Sequence, residues 1–118
     1  MNLILSIIAV VLFILIEPFN FIYVVFIKEK FKWNRLSGYF RGLAVGIGKF
    51  GNYQFRSLFN AILRTENGYQ FGNFNETVSS ALGKNQRDNT LSTLGKKIVK
   101  FLDFLDENHC LNSINNTI

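Results

Sequence analysis

A chain of 118 residues with one cysteine, one histidine and a net charge of +5 excludes several classes at once. No intramolecular disulfide and no thiolate metal cluster can form. Hydrophobic residues make up 48% of the chain, and they crowd its beginning, so about 90 residues remain for one small domain with a modest core.

Residues 3–27 read LILSIIAVVLFILIEPFNFIYVVFI, with Glu17 the single charged residue. A helix of this length is roughly 37 Å long, against a hydrocarbon core of ~30 Å, so the stretch predicts a transmembrane anchor with some tilt. Pro18 lacks a backbone donor and disfavours helix at the residue before it, which predicts a kink near Glu17. An ionised carboxylate inside a bilayer is costly. Two readings of Glu17 stand level: a contact or proton site inside an oligomer, or a helix in two pieces with residues 17–20 near an interface. A cleaved signal peptide is rejected, because no positive region precedes the apolar run, the run is too long, and no small-x-small site follows.

Lys28, Lys30, Lys32 and Arg35 follow directly. They predict a cytoplasmic C-terminal part and an outer N-terminus. With Trp33 they are the expected headgroup contacts, and Tyr39 is a further interfacial anchor. The basic belt continues through Arg41, Lys49, Arg56 and Arg64, with Glu29 its only acid. Topology and anionic headgroups explain such a belt best. Nucleic acid held on the membrane face is a second reading, not favoured.

In residues 36–50, Gly38, Gly42 and Gly46 form one stripe if helical, a spacing that lets helix backbones approach in a membrane setting. The segment is expected to be an interfacial or re-entrant helix packed on the anchor or on a copy of itself, broken by Gly48, Gly51 and Asn52. Gly46-Ile-Gly-Lys-Phe-Gly51 fits G-x-G-x-x-G, but no strand precedes it and the chain is too short for the dinucleotide fold. A phosphate loop is rejected too, since Leu43 stands where its first glycine belongs and Phe50 where Ser or Thr belongs.

Residues 53–64 predict a short amphipathic helix with Phe55, Leu58, Phe59, Ile62 and Leu63 on one face. Asn67-Gly68 predicts a turn. Tyr69–Phe74 predicts an extended piece whose aromatics plug the core. Asn75 is the expected N-cap of a helix closed by Gly83, with Lys84–Asn89 a polar connector. The last helix is expected over 91–108, capped by Thr90 or Asn89. Gly95 weakens that helix. Leu91, Leu94, Ile98, Phe101 and Leu105 form a two-heptad seam. Lysines come first and acids last, against the helix dipole. An antiparallel partner helix, including one from a second copy, would match those charges; the plainer alternative is that the helix folds onto residues 53–64.

His109, Cys110, Asp103 and Asp106 are the one cluster that could react. Asp106 and Cys110 are in reach of each other and of His109 on a helix, but no second base or oxyanion feature is recognisable. No metal and no cofactor is expected. Asn75-Glu-Thr and Asn115-Asn-Thr match a glycosylation acceptor, which the expected cytoplasmic side argues against.

The expected fold is mostly α: a transmembrane anchor (1–27), a basic, glycine-striped interfacial segment (28–52) and a small helical C-terminal domain (53–118). Within residues 69–110, Glu76-Thr77, Leu82-Gly83-Lys84-Asn85, Thr90-Leu91, Leu94-Gly95-Lys96, Leu102-Asp103 and His109 carry a resemblance. The run resembles the C-terminal part of small uncharacterised bacteriophage-encoded membrane proteins. That resemblance implies a viral gene product and no activity, and no functional residue carries over. The expectation is a non-enzymatic structural protein in a bilayer, the virion membrane or the host inner membrane, packing on capsid protein or on copies of itself. The alternative is a holin-like lysis protein.

Overall fold

The apolar run is helical, as expected, but it is not divided into two pieces at residues 17–20. In the computed structural model, which describes residues 1–118, α1 covers Asn2–Ile22 and passes without a break through Pro18. It ends in a π-helical turn over Tyr23–Ile27, closed by the Lys28 amide on the Tyr23 carbonyl (2.8 Å). Helix α2 covers Trp33–Gln54, α3 Arg56–Ile62, α4 Val78–Arg87, α5 Thr93–Leu105 and α6 the single turn His109–Asn112. There are no strands, only one antiparallel bridge between Arg64 and Leu91. The mostly helical class is therefore as the sequence predicts.

The chain divides into two compact units, Met1–Leu43 and Ala44–Ile118, and α2 contributes to both. In the first, α2 folds back on α1 through aromatic contacts. Phe21 meets Tyr39 at 5.3 Å and Phe40 at 5.5 Å between ring centroids. The glycines take no part in that contact: a methyl group added at Gly38 or Gly42 would meet nothing within 4 Å, and the same holds for Gly46.

In the second unit the core is small: Leu63, Phe71, Ala81, Leu82, Leu91, Val99 and Cys110, flanked by Phe59, Tyr69, Val78, Ile98 and Leu102. Helix α4 runs through its middle. Several sequence boundaries are corrected here. Helix α2 is not broken at Gly48 or Gly51. The side chain of Asn52 explains this: buried, it donates to the carbonyls of Asn73 (3.1 Å) and Glu76 (2.9 Å) and accepts from the Gly72 amide (3.1 Å). Tertiary bonds thus stabilise a stretch that local propensity would end. The N-cap of α4 is Thr77, whose Oγ1 accepts from the Ser80 amide (3.1 Å), not Asn75.

Nor does Gly83 close α4. It lies where the backbone of α6 crosses, and a side chain there would overlap the Cys110 carbonyl. The polar run from Lys84 is therefore helix, not connector. Helix α5 is capped by Ser92, whose Oγ accepts from the Gly95 amide (3.0 Å). Thr90 is spent elsewhere, on Asn85 Oδ1 (2.7 Å). The predicted last helix ends at Leu105, where Asp106 takes an extended backbone (φ −150°, ψ 107°), and a separate turn follows the left-handed Asn108 (φ 54°). The expected face of residues 53–64 also divides. Leu63 is buried and Phe59 packs on the core, while Phe55, Leu58 and Ile62 stay exposed.

Candidate functional site

The centre of the second unit is polar. Glu76, the residue before the α4 cap, is fully buried, and its carboxylate collects three partners. Ser80 Oγ donates to Oε2 (2.6 Å), Tyr69 Oη donates to Oε1 (2.7 Å), and Lys84 Nζ pairs with Oε2 (2.6 Å). Glu76 precedes α4 by two residues, and Ser80 and Lys84 follow it at spacings of four. One helix face therefore delivers all three side chains to one point. Lys84 also donates to the Ile118 carbonyl (3.0 Å) and the Tyr69 hydroxyl (3.3 Å), with its ammonium 4.5 Å from the Tyr69 ring centroid. Burial pushes the Lys84 ammonium down, but the Glu76 carboxylate and Tyr69 outweigh it, and its pKa lies above the ordinary 10.5. Burial and the hydrogen bond to Glu76 hold the Tyr69 phenol above 10.0.

Three asparagines extend the network by pinning the extended 64–76 segment. Besides Asn52, Asn85 donates to the Tyr69 and Ala81 carbonyls (both 3.0 Å) and accepts from the Tyr69 amide (2.8 Å). Asn60 accepts from the Phe71 amide (2.7 Å) and donates to its carbonyl (3.0 Å). Each asparagine thus makes a two-way bond that a strand partner would otherwise make. Sequence reasoning missed Glu76, Lys84 and Asn85 as buried groups. The signal that could have found them was the spacing Glu76–Ser80–Lys84, which puts opposite charges on one helix face with a hydroxyl between.

A second cluster lies at the surface. His109 Nδ1 is 3.0 Å from Asp106 Oδ2, and His109 Nε2 is 3.0 Å from Ser79 Oγ. The sequence predicted the Asp106–His109 contact but not Ser79. Cys110, next to them in sequence, is buried in the core, and burial and the Asp103 carboxylate push its thiol up to about 11. It is a packed thiol, not a thiolate nucleophile. Hydroxyl, imidazole and carboxylate stand in the order of a hydrolytic triad. An acyl-transfer site also needs donors for the oxyanion. The amide after Ser79, the one used in elbow-type sites, is committed to the Thr77 cap. What the contacts do is tie α4 to the turn between α5 and α6.

Among the remaining predicted residues, Glu17 has a partner. Tyr39 Oη donates to its carboxylate, and Asn20 Nδ2 donates to Tyr39 Oη (3.3 Å). Of the basic residues, Arg35 pairs with Glu29 and donates to the Lys30 carbonyl (2.9 Å), while Lys28, Lys30, Lys32 and Trp33 are exposed. The predicted α5 seam separates into two sets. Leu91 lies before the helix and is buried, Ile98 packs on the core, and Leu94, Phe101 and Leu105 are exposed. No group of three or more His, Cys, Asp or Glu side chains is placed to hold a metal ion.

The fold and its site define a chain that has one helix long and apolar enough to cross a bilayer, Asn2–Ile27, and a small helical domain locked by a buried ion pair. Comparison with protein-family models, with curated proteins and with solved structures returns no match.

Proposed function

We propose that this protein is a non-enzymatic structural component of a membrane, of viral origin, anchored by α1 and packing through its C-terminal domain against a shell protein or copies of itself. The observation that carries the reading is the Asn2–Ile27 segment. Its most apolar 18-residue window has a mean hydropathy of 2.5 and none of that window is buried within the protein; Val25, in the closing π-helical turn, is the one buried residue of the segment. A core helix of a water-soluble domain would be covered by its own chain. The only acid in it, Glu17, is satisfied by Tyr39 of the same unit, as a polar group at membrane depth requires. The C-terminal domain supports a structural role because its buried ion pair, Glu76 and Lys84, is closed from solvent, which suits a rigid module.

Bacteriophage origin rests on the resemblance of residues 69–110, and a virion membrane is the placement proposed. The test is fractionation. Intact particles and host membranes are purified, extracted with detergent and analysed by mass spectrometry. The chain is expected in particles and released together with lipid. Recovery only in the host membrane late in infection would refute the virion placement and favour lysis. Recovery in the soluble fraction would refute the anchor.

A further inference from the structure

The second unit carries apolar side chains where a water-facing domain would carry polar ones. On α3, Leu58 (55% exposed) and Ile62 lie one turn apart. On α5, Leu94, Phe101 (61%) and Leu105 (65%) recur at seven and four residues, with Phe104 (84%) beside them. The core takes other residues of the same helices, among them Gly95, Val99 and Leu102. The Ser92 hydroxyl donates to the Ile62 carbonyl, and the Gly95 backbone lies against the Leu63 carbonyl. These contacts bring the end of α3, with Ile62, against the start of α5, with Leu94.

Lysines mark the same face. Lys97 stands between Leu94 and Phe101 on the α5 stripe, and Lys100 one turn before Phe104; both are exposed. The acids do not oppose them. Asp103 lies on the other side of the helix, part-buried and near Cys110, Asp106 is engaged by His109, and Glu107 is exposed beyond the end of α5 at Leu105. We propose that this α3–α5 face rests on an anionic lipid surface. Phe101, Phe104 and Leu105 enter the boundary between headgroups and acyl chains, and Lys97 and Lys100 meet lipid phosphates. The inference rests on the anchor reading above, since a spanning helix in the same chain keeps a bilayer at high effective concentration beside the domain. A second copy fits this face less well. Two-fold pairing would bury Lys97 in a contact whose own α5 stripe, Leu94, Ile98, Phe101 and Leu105, offers no carboxylate to meet it.

The test uses the full chain with Trp33→Phe and Phe101→Trp, so that position 101 holds the one tryptophan. It is reconstituted in vesicles of phosphatidylcholine and phosphatidylglycerol with brominated acyl chains. Fluorescence at position 101 is expected to shift to the blue and to be lost to the brominated lipid. Part of that loss should disappear with Lys97→Glu and Lys100→Glu, or with phosphatidylcholine alone. Continued protection of Cys110 from thiol reagents verifies that each variant is folded. Quenching by acrylamide and not by brominated lipid would overturn the inference. So would protection from both quenchers that vanishes as lipid is raised over protein, because that pattern reports a second copy. Alkaline carbonate separates the two readings: a chain that stays in the vesicles keeps its anchor even if the face proves wet, whereas a chain that washes off overturns the anchor itself.

Discussion

Replacing Lys84 by methionine isolates the contribution of the buried charge pair. Methionine keeps most of the stem volume and removes the ammonium. Glu76 would retain its bonds to Ser80 Oγ (2.6 Å) and Tyr69 Oη (2.7 Å) but lose its only countercharge. The side chains of the pair are 4% and 0% exposed, so water cannot replace it. Removing one partner of a buried pair costs about 3–5 kcal/mol. A domain the size of Ala44–Ile118 has a total stability of about 4–11 kcal/mol at typical values per residue, so the single substitution should remove about a quarter of it or more. The double variant Lys84→Met, Glu76→Gln leaves no buried charge and should recover at least half of the loss. Cys110 gives the assay. It is the only thiol, fully buried in the same unit, and reacts with a maleimide only when that unit opens. Reaction of the detergent-solubilised chain across a urea series reports the opening equilibrium. A loss under about 1 kcal/mol for Lys84→Met, or a double variant no better than the single one, would refute the assignment of the pair as the domain's lock.

Stability should also fall in alkali. Tyr69, Lys84 and Cys110 all hold their protons more tightly in the folded chain, the last with its pKa raised from 9.0 to about 11. Their stabilisation is complete below the lowest unfolded value, near pH 9, and is lost as pH rises through the folded values; a urea midpoint that climbs above that pH contradicts the assignment. Gly83→Ala should cost about 1–3 kcal/mol or more, because the new methyl overlaps the Cys110 carbonyl and lies 2.9 Å from Ile114 Cγ1; Cys110 in this variant should react faster, and an unchanged rate would show that α6 can shift freely. Ser79 should resist a fluorophosphonate probe, since its contacts to His109 bind helices together; covalent labelling of Ser79 that is lost in His109→Ala would instead establish a nucleophile.

The sequence made the long apolar N-terminal helix legible, along with the helical class, the Asn67-Gly68 turn and the inward Tyr69 and Phe71, because each rests on local composition or a simple period; Phe74, expected in the core with them, is exposed. The α4 boundaries were not legible for a physical reason. Gly83 reads as a stop and Lys84-Asn85 as a solvated connector only if nothing is packed there. Close passage of α6 demands the glycine, and the buried Glu76 carboxylate makes a lysine at position 84 an interior residue. The same holds for α2. Gly48, Gly51 and Asn52 look like a break, yet Asn52 finds its partners in residues 72–76, 20 to 24 positions on. At the surface cluster, spacing alone gave Asp106 and His109, but Ser79 lies 30 residues away and only the fold brings it to the imidazole.

One imbalance joins the fold to the proposed setting. The chain has 13 phenylalanines, and of these only Phe71 is buried, while the second unit hides five polar or charged side chains. A water-soluble domain of this size would gain most by turning its phenylalanines inward, each one worth about 1.5–3 kcal/mol on full burial. Here the interior is closed by asparagine latches and one ion pair, whose net contribution to stability is small beside that of apolar packing. Phe50, Phe55, Phe74, Phe101 and Phe104 remain outside in this unit. Such a division is unfavourable if water is the only solvent. It becomes favourable if part of the domain surface meets an apolar phase, since the exposed rings are then buried after folding and by something other than their own core. The helix Asn2–Ile27 supplies the reason such a phase would be close by, and the basic side chains on the α3–α5 face give that contact its sign.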